Sequence, residues 1–277
     1  MTTVEVPVHP EFEREGSFAH LRLGRKERRE DPRTLQFGRY LDEAVALPAT
    51  PPSCDWTTGV PSWPMYGNDV LGDCTIAAVG HMIQAWSAAA GGLKTFGDAD
   101  VEAMYWETGD PPAATGAAGG PTDDGRDEMG VLNYWRQTGL APGTSYTDKI
   151  VAYASVDVSN ADQVRAAISL FGGVYAGAGL PLTAQGQSVW DVVAAEPEQN
   201  QPYSWGGHAI PILAYDEAGD FVVVTWGGLM RVTGAFFAEY FDEAYAIVSA
   251  DFLTATGASP AGFDLERLEA DLLEITQ

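Results

Sequence analysis

The sequence predicts an α+β chain, with helices in its first half and antiparallel strands in its second. Two observations lead to this. Residues 75–90, TIAAVGHMIQAWSAAA, are apolar with no breaker except Gly80, as a buried helix should be. From about residue 160 the apolar runs shorten, become β-rich and are bounded by Gly or acidic turns. Further helices are expected at 98–107, at 128–138 (EMGVLNYWRQT) and at 161–170, which has an aspartate in its first turn and Gly172-Gly173 beyond its end. Strands are expected at 174–180, 208–216, 221–227 and 243–249, with a hairpin turn at 217–220. Between the second and third helices runs DPPAATGAAGGPTDDG, a Gly/Ala/Pro loop. Residues 1–47 lack sustained periodicity beyond one short helix at 34–45, and Pro48, Pro51 and Pro52 follow. The tail at 263–275 places Leu265, Leu268, Leu272 and Ile275 on one face of an amphipathic helix. The division expected is an arm over 1–53, a body over 54–255 and a tail over 256–277.

The chain has 277 residues, 45% of them hydrophobic, enough for a substantial core. Its net charge of −24 is unevenly spread, because residues 1–40 hold eight of the fifteen basic side chains. An acidic body repels nucleic acid and anionic membrane, so neither is an expected partner. The basic cluster RLGRKERREDPR (22–33) suits either a strap across the acidic body or a docking arm for a protein assembly. No apolar run approaches the ~18 residues of a membrane span, and the N-terminus lacks a signal-peptide core. A chain not secreted by signal, cytoplasmic or virion-associated, is the expectation.

Two cysteines are too few for a disulfide framework. Cys74 stands directly before the buried helix, where a thiol is either a nucleophile or a small apolar filler. Of four histidines, His9 and His20 fall in the arm, and His81 is ~10 Å along the helix from Cys74, which suits packing. Cys54 likewise reads as packing. His208 follows Gly206-Gly207 and opens a strand, 134 residues after Cys74. Asn68 sits in Gly67-Asn68-Asp69, where it is either a turn residue or a hydrogen-bond donor to chemistry at Cys74. The stretch TDDGRDE fits no spaced ligand set, and no phosphate- or dinucleotide-binding glycine loop occurs. No metal or cofactor is expected.

In these spacings the chain resembles the papain-like cysteine proteases. Cys54-Asp55-Trp56-Thr57 is similar to the opening of that domain, with Trp56 eighteen residues before Cys74. Asn68, six before Cys74, occupies the place of the oxyanion glutamine. GGHAI and VVTWGGLM resemble the histidine strand and the Asn-Ser-Trp-Gly strand. The resemblance covers roughly 52–250 and implies a two-lobed fold, a helical lobe over about 54–155 and an antiparallel β lobe over about 156–255. Residues 71–75, Leu-Gly-Asp-Cys-Thr, stand where the family has Cys-Gly-Ser-Cys-Trp. The asparagine that would orient the histidine aligns with Val224, so the third position is lost or moved; strand alternation turns the neighbouring Thr225 away. Trp226 keeps the place of the tryptophan that shields the histidine.

The resemblance implies a hydrolase in which the Cys74 thiolate attacks a carbonyl carbon and His208 acts as acid and base through an acyl-enzyme. The Cys74 N–H and Asn68 would hold the oxyanion. Asp73 either raises the thiol pKa by its charge or caps the helix. Two alternatives stand beside a peptidase or amidase acting on a peptide or protein. One is a catalytically impaired papain-like component, of a bacteriophage virion among other assemblies, motivated by Val224 and Asp73. The other is an acyl transferase of transglutaminase type. Residues 1–53 also suit an inhibitory propeptide.

Overall fold

The computed structural model describes residues 16–39, 49–109, 123–140, 147–195 and 197–252. The expected tail helix at 263–275 lies outside them, and of the one expected at 34–45 only 37–39 are described as helix. Four of the expected helices form. Helix α1 (Cys74–Ala89) buries fourteen of its sixteen residues, so it runs through the interior and not along a surface. Helix α2 (Asp98–Glu107) and helix α3 (Glu128–Gln137) pack beside it. Asp127 caps α3 by accepting from the Gly130 N–H, and Asn160 caps α4 (Ala161–Phe171) by accepting from that of Gln163. Gly172, in the left-handed conformation, ends α4.

The strands form one antiparallel sheet in the order β2 (Ile150–Ser155), β7 (Phe241–Ser249), β3 (Val174–Leu180), β4 (Gly206–Tyr215), β5 (Phe221–Thr225), β6 (Gly228–Val232). A short β1 (Cys54–Asp55) pairs with the far end of β4. Strands β3, β4, β5 and β7 stand where the sequence places them. Strands β2 and β6, and helix α5 (Gly234–Tyr240), were not foreseen. The expected hairpin joins β4 to β5, closed by the Asp216 N–H donating to the Asp220 carbonyl at 3.0 Å. Between Ile212 and Ala214 the register of β4 against β5 shifts by one residue, a β-bulge at Leu213. The β5–β6 turn is only Trp226-Gly227, both at positive φ (42° and 72°). That is the geometry of a tight primed hairpin turn, here with a bulky residue in its first position.

Two large apolar cores result among the described residues, beside smaller clusters. Ile76, Val79, Ile83, Trp86, Leu132 and Trp135 form one with Tyr175 and Ile247. Ile168, Ile210, Ile212, Val223, Met230 and Phe236 form the other. Each fully buried large side chain contributes about 1.5–3 kcal/mol relative to exposure. Trp56 packs against both cores, its indole N–H donating to the Ile168 carbonyl at 2.8 Å. Cys74 belongs to the first core and Trp226 to the second, so the candidate residues meet along the seam between lobes.

Candidate active site

Cys74 is the first residue of α1, where backbone N–H groups have no intrahelical acceptor. Its side chain is 1% exposed. The backbone N–H of Ala209, the residue after His208, donates to Sγ at 3.5 Å. The histidine strand is therefore seated directly on the thiol.

His208 is equally buried, and its Nε2 lies 2.8 Å from Thr225 Oγ1. Its other nitrogen, Nδ1, has no hydrogen-bond partner among the described residues. A proton on Nε2 donated to Oγ1 leaves Nδ1 with its lone pair, the form a general base needs. The imidazole also stacks on Trp226, ring centroids 4.4 Å apart and planes 16° from parallel. The positive φ of Trp226 presents its ring to the histidine, and the indole N–H donates to the Arg22 carbonyl at 3.1 Å.

Thr225, and not Val224, is thus the partner of the histidine, which corrects the expectation that strand alternation turns Thr225 away. The bulge explains it. Ile212 pairs with Val223, so even-numbered residues of β4 share a face with odd-numbered residues of β5 at this end. His208 and Thr225 fall on that common face. Val224 points to the other, packing with Ala85 and Leu213. The extra residue at Leu213 makes the separation from the histidine seventeen residues, one more than the family offset. The hydrogen-bond partner of His208 therefore stands one residue beyond the position to which the resemblance points. Thr225→Val is expected to preserve the fold at a cost of about 1–3 kcal/mol for the unpaired imidazole nitrogen. Nitrogen NMR of His208 should then show loss of the fixed tautomer, and an unchanged tautomer would refute the assignment.

The remaining residues sort clearly. Asn68 is buried and donates through Nδ2 to the Leu71 carbonyl at 3.0 Å, bracing the loop before Cys74. Asp73 does not cap α1 by its side chain. Burial pushes its carboxyl up to about 8, with Asn68 opposing, so near pH 7 it is mostly neutral and adds little repulsion to a thiolate. His81 packs between Trp63 and Tyr66, bonded to the Pro64 carbonyl at 2.9 Å, and burial lowers it to about 4. Cys54 is a free thiol on β1, raised to about 12 by burial. Among the described residues no three His, Cys, Asp or Glu side chains converge as a metal site, and no helix is long and apolar enough to cross a membrane.

Comparison of the whole fold supplies its class. No protein-family model matches the chain, and no curated protein sequence matches it. Solved structures do. Xylellain, a cysteine protease from Xylella fastidiosa, aligns over 83% of this chain and 97% of its own, with TM-score 0.59 and 14% identity. Digestive procathepsin L 3 from the larval midgut of Tenebrio molitor covers 83% and 77%, with TM-score 0.53 and 12% identity. The ragweed pollen protease Amb a 11 in its proform covers 79% and 71%, with TM-score 0.54 and 17% identity. The fold is papain-like. At these identities the likeness concerns architecture, and the chemistry rests on the residues themselves.

One feature of this papain-like chain lies across the candidate residues. Residues 22–29 run along the seam as an extended strap. The Arg126 N–H donates to the Gly24 carbonyl and the Lys26 N–H to the Arg126 carbonyl, both at 2.9 Å, while the Arg25 N–H donates to the Gly207 carbonyl at 3.1 Å. Charge reinforces the backbone: Arg22 pairs with Asp123, Lys26 with Asp124 and Arg29 with Asp127. Each is a partly exposed pair, worth about 1 kcal/mol at most. At the centre, Gly24 lies so close to Gly72 that a Cβ would overlap the Gly72 carbonyl.

The strap sets the electrostatics beneath it. Burial pushes the Cys74 thiol up to about 12; the N–H groups of Ala209 and Gly24 oppose this, while Asp73 adds to it only once it is itself ionised, above about pH 8. Burial, helped by the Arg25 charge, lowers His208 to about 3. Neutral thiol and neutral imidazole therefore coexist under the strap, and desolvation outweighs the helix dipole.

Proposed function

We propose that the chain is a cysteine hydrolase, cleaving peptide or amide bonds through Cys74 and His208, and that the strap over 22–29 holds it latent. The observation that supports this most is the seating of the His208 strand on Cys74 Sγ, with Nε2 committed to Thr225 and Nδ1 unpartnered. An imidazole nitrogen buried on the strand seated against the thiol, with no bond of its own among the described residues, keeps a lone pair for the thiol proton. Two of the similar structures are proforms of proteases, which suits a latent state.

With the strap withdrawn, water reaches the site and the desolvation that keeps both groups neutral falls. Transfer of the thiol proton to Nδ1 gives the thiolate, which attacks the carbonyl carbon. The oxyanion is met by the Cys74 N–H at the helix start and by the Asn68 amide once it turns from Asp73, donors of a kind worth ~2.7–4 kcal/mol each. His208 passes its proton to the leaving amine as the C–N bond breaks. It then takes a proton from water, whose oxygen attacks the thioester and releases the acid and the thiol. Thr225 keeps the imidazole oriented through both steps. Within the closed strap, the Gly24 N–H faces the sulfur.

A defined peptide mixture incubated with the Gly24→Ala chain and analysed by mass spectrometry tests the reading. Cleavage that disappears in Gly24→Ala/Cys74→Ala is expected. Labelling of Cys74 without any cleavage would leave a binding component instead.

A further inference from the structure

The strap is held by backbone bonds that any extended peptide could make, by the three partly exposed ion pairs of Arg22, Lys26 and Arg29, and by one buried side chain. The Arg25 guanidinium is wholly buried in a pocket built by the body of the protein. Its Nε donates to Glu243 Oε1 at 3.0 Å and to Glu128 Oε2 at 3.3 Å. Its Nη2 pairs with Asp242 Oδ1 at 2.6 Å and also with Glu243, and its Nη1 donates to the Tyr203 hydroxyl at 2.8 Å. The floor is Gly177 on β3, where a Cβ would overlap Arg25 Nε and stand 2.6 Å from Glu128 Oε2. Tyr245 donates to Glu243 Oε2 at 2.7 Å, bracing that carboxylate.

The pocket holds more acid than one strap residue requires. Three carboxyl groups face a single cation, and the fully buried Glu128 keeps Oε1 without a partner among the described residues. Burial and the neighbouring Glu243 hold Glu128 protonated well above the ordinary carboxylate range. For Glu243, burial is outweighed by hydrogen bonding with Glu128 and by the charge of Arg25, so it stays ionised. A planar fork of donors matches this array, and a neutral side chain does not.

We infer that Glu128, Asp242 and Glu243 form a selectivity pocket for the guanidinium of an arginine-bearing peptide that occupies the cleft in place of the strap. Arg25 is its built-in occupant. The inference rests on the proposed hydrolase reading for its biological use, but the binding it requires is measurable without turnover.

The test uses the full chain carrying Arg25→Ala, which vacates the pocket. The probes are a fluorescein-labelled peptide with the sequence of residues 20–29 and the same peptide with neutral, isosteric citrulline in place of the arginine matching Arg25. Fluorescence anisotropy is expected to show at least tenfold tighter binding of the arginine peptide. A second readout fills the hole without displacing the strap: methylguanidinium should raise the melting temperature of Arg25→Ala and not of the parent, while methylurea should raise neither. A guanidinium-specific shift supports the pocket even where the tethered strap excludes both peptides. Equal binding of the two peptides, or the absence of both peptide binding and a guanidinium-specific shift, overturns it. Should Arg25→Ala fail to fold, Arg25→Gln takes its place with the same probes. Failure of peptide cleavage elsewhere would sink the hydrolase reading and leave this result standing. Loss of arginine preference alongside active cleavage would do the reverse.

Discussion

Gly24→Ala is expected to convert Cys74 from an inert thiol into a reactive one. A side chain at position 24 has nowhere to go, since it would overlap the Gly72 carbonyl, and Gly72 is itself fixed against Asp123, which accepts from its N–H at 2.9 Å. The strap must lift. A thiol at about 12 is almost entirely protonated at pH 7. Return to an ordinary value near 8.5 raises the thiolate fraction on the order of a thousandfold. Alkylation by iodoacetamide, read by peptide mass spectrometry, should rise at least that much because access improves as well. With the site rehydrated, pairing with His208 should keep labelling fast at pH 5–6, and Gly24→Ala/His208→Ala should abolish that low-pH component. Equal labelling of parent and Gly24→Ala would show that the strap does not guard the thiol.

Arg25→Ala carries the other large effect, on stability. Breaking a buried ion pair by removing one partner costs about 3–5 kcal/mol when the orphaned charge stays buried. Here the carboxyl groups can instead take up protons, so the cost depends on pH. In the parent, Glu243 is held below its ordinary value, so its contribution is present above the unfolded pKa and is lost as pH falls through the folded one. Without Arg25 the folded values of Glu128 and Glu243 both rise, and a raised carboxyl stabilises below its unfolded pKa and loses that as pH rises. The deficit against the parent should therefore be smallest near pH 5 and widen toward pH 8, by up to ~1.4 kcal/mol per pH unit for each carboxyl that stays protonated in the folded variant but not in the folded parent. Urea melts of both chains across that range check it. A deficit independent of pH would mean that the strap undocks and the pocket fills with water.

Periodicity and spacing made much of this legible. The long apolar run of α1, the capped and Gly-terminated α4 and the β-rich runs of β3, β4, β5 and β7 lie within a few residues of where the sequence puts them. Cys74 and His208 were picked out by their 134-residue separation, which matches the spacing of the family that the chain resembles. Strand β6 was hidden, since GLMRV pairs a glycine and an arginine that read as loop. Thr225 was hidden by the bulge at Leu213, a register feature that residue counting does not register. The pocket around Arg25 joins residues 103 and 218 positions away, and no local pattern announces it. The signals that could have pointed there were the basic segment at 22–33 and the acidic TDDGRDE, each noted alone but not matched to the other.

The seal over Cys74 has a consequence for the chain's endurance. Peroxides oxidise thiolates, and the sulfur under the strap is both protonated and out of reach. On the proposed latent reading, the closed chain serves as a storage form whose sulfur withstands oxidative stress. Becoming competent and becoming perishable are one event, and peroxide should form sulfenic acid on Cys74 in Gly24→Ala long before it does so in the parent.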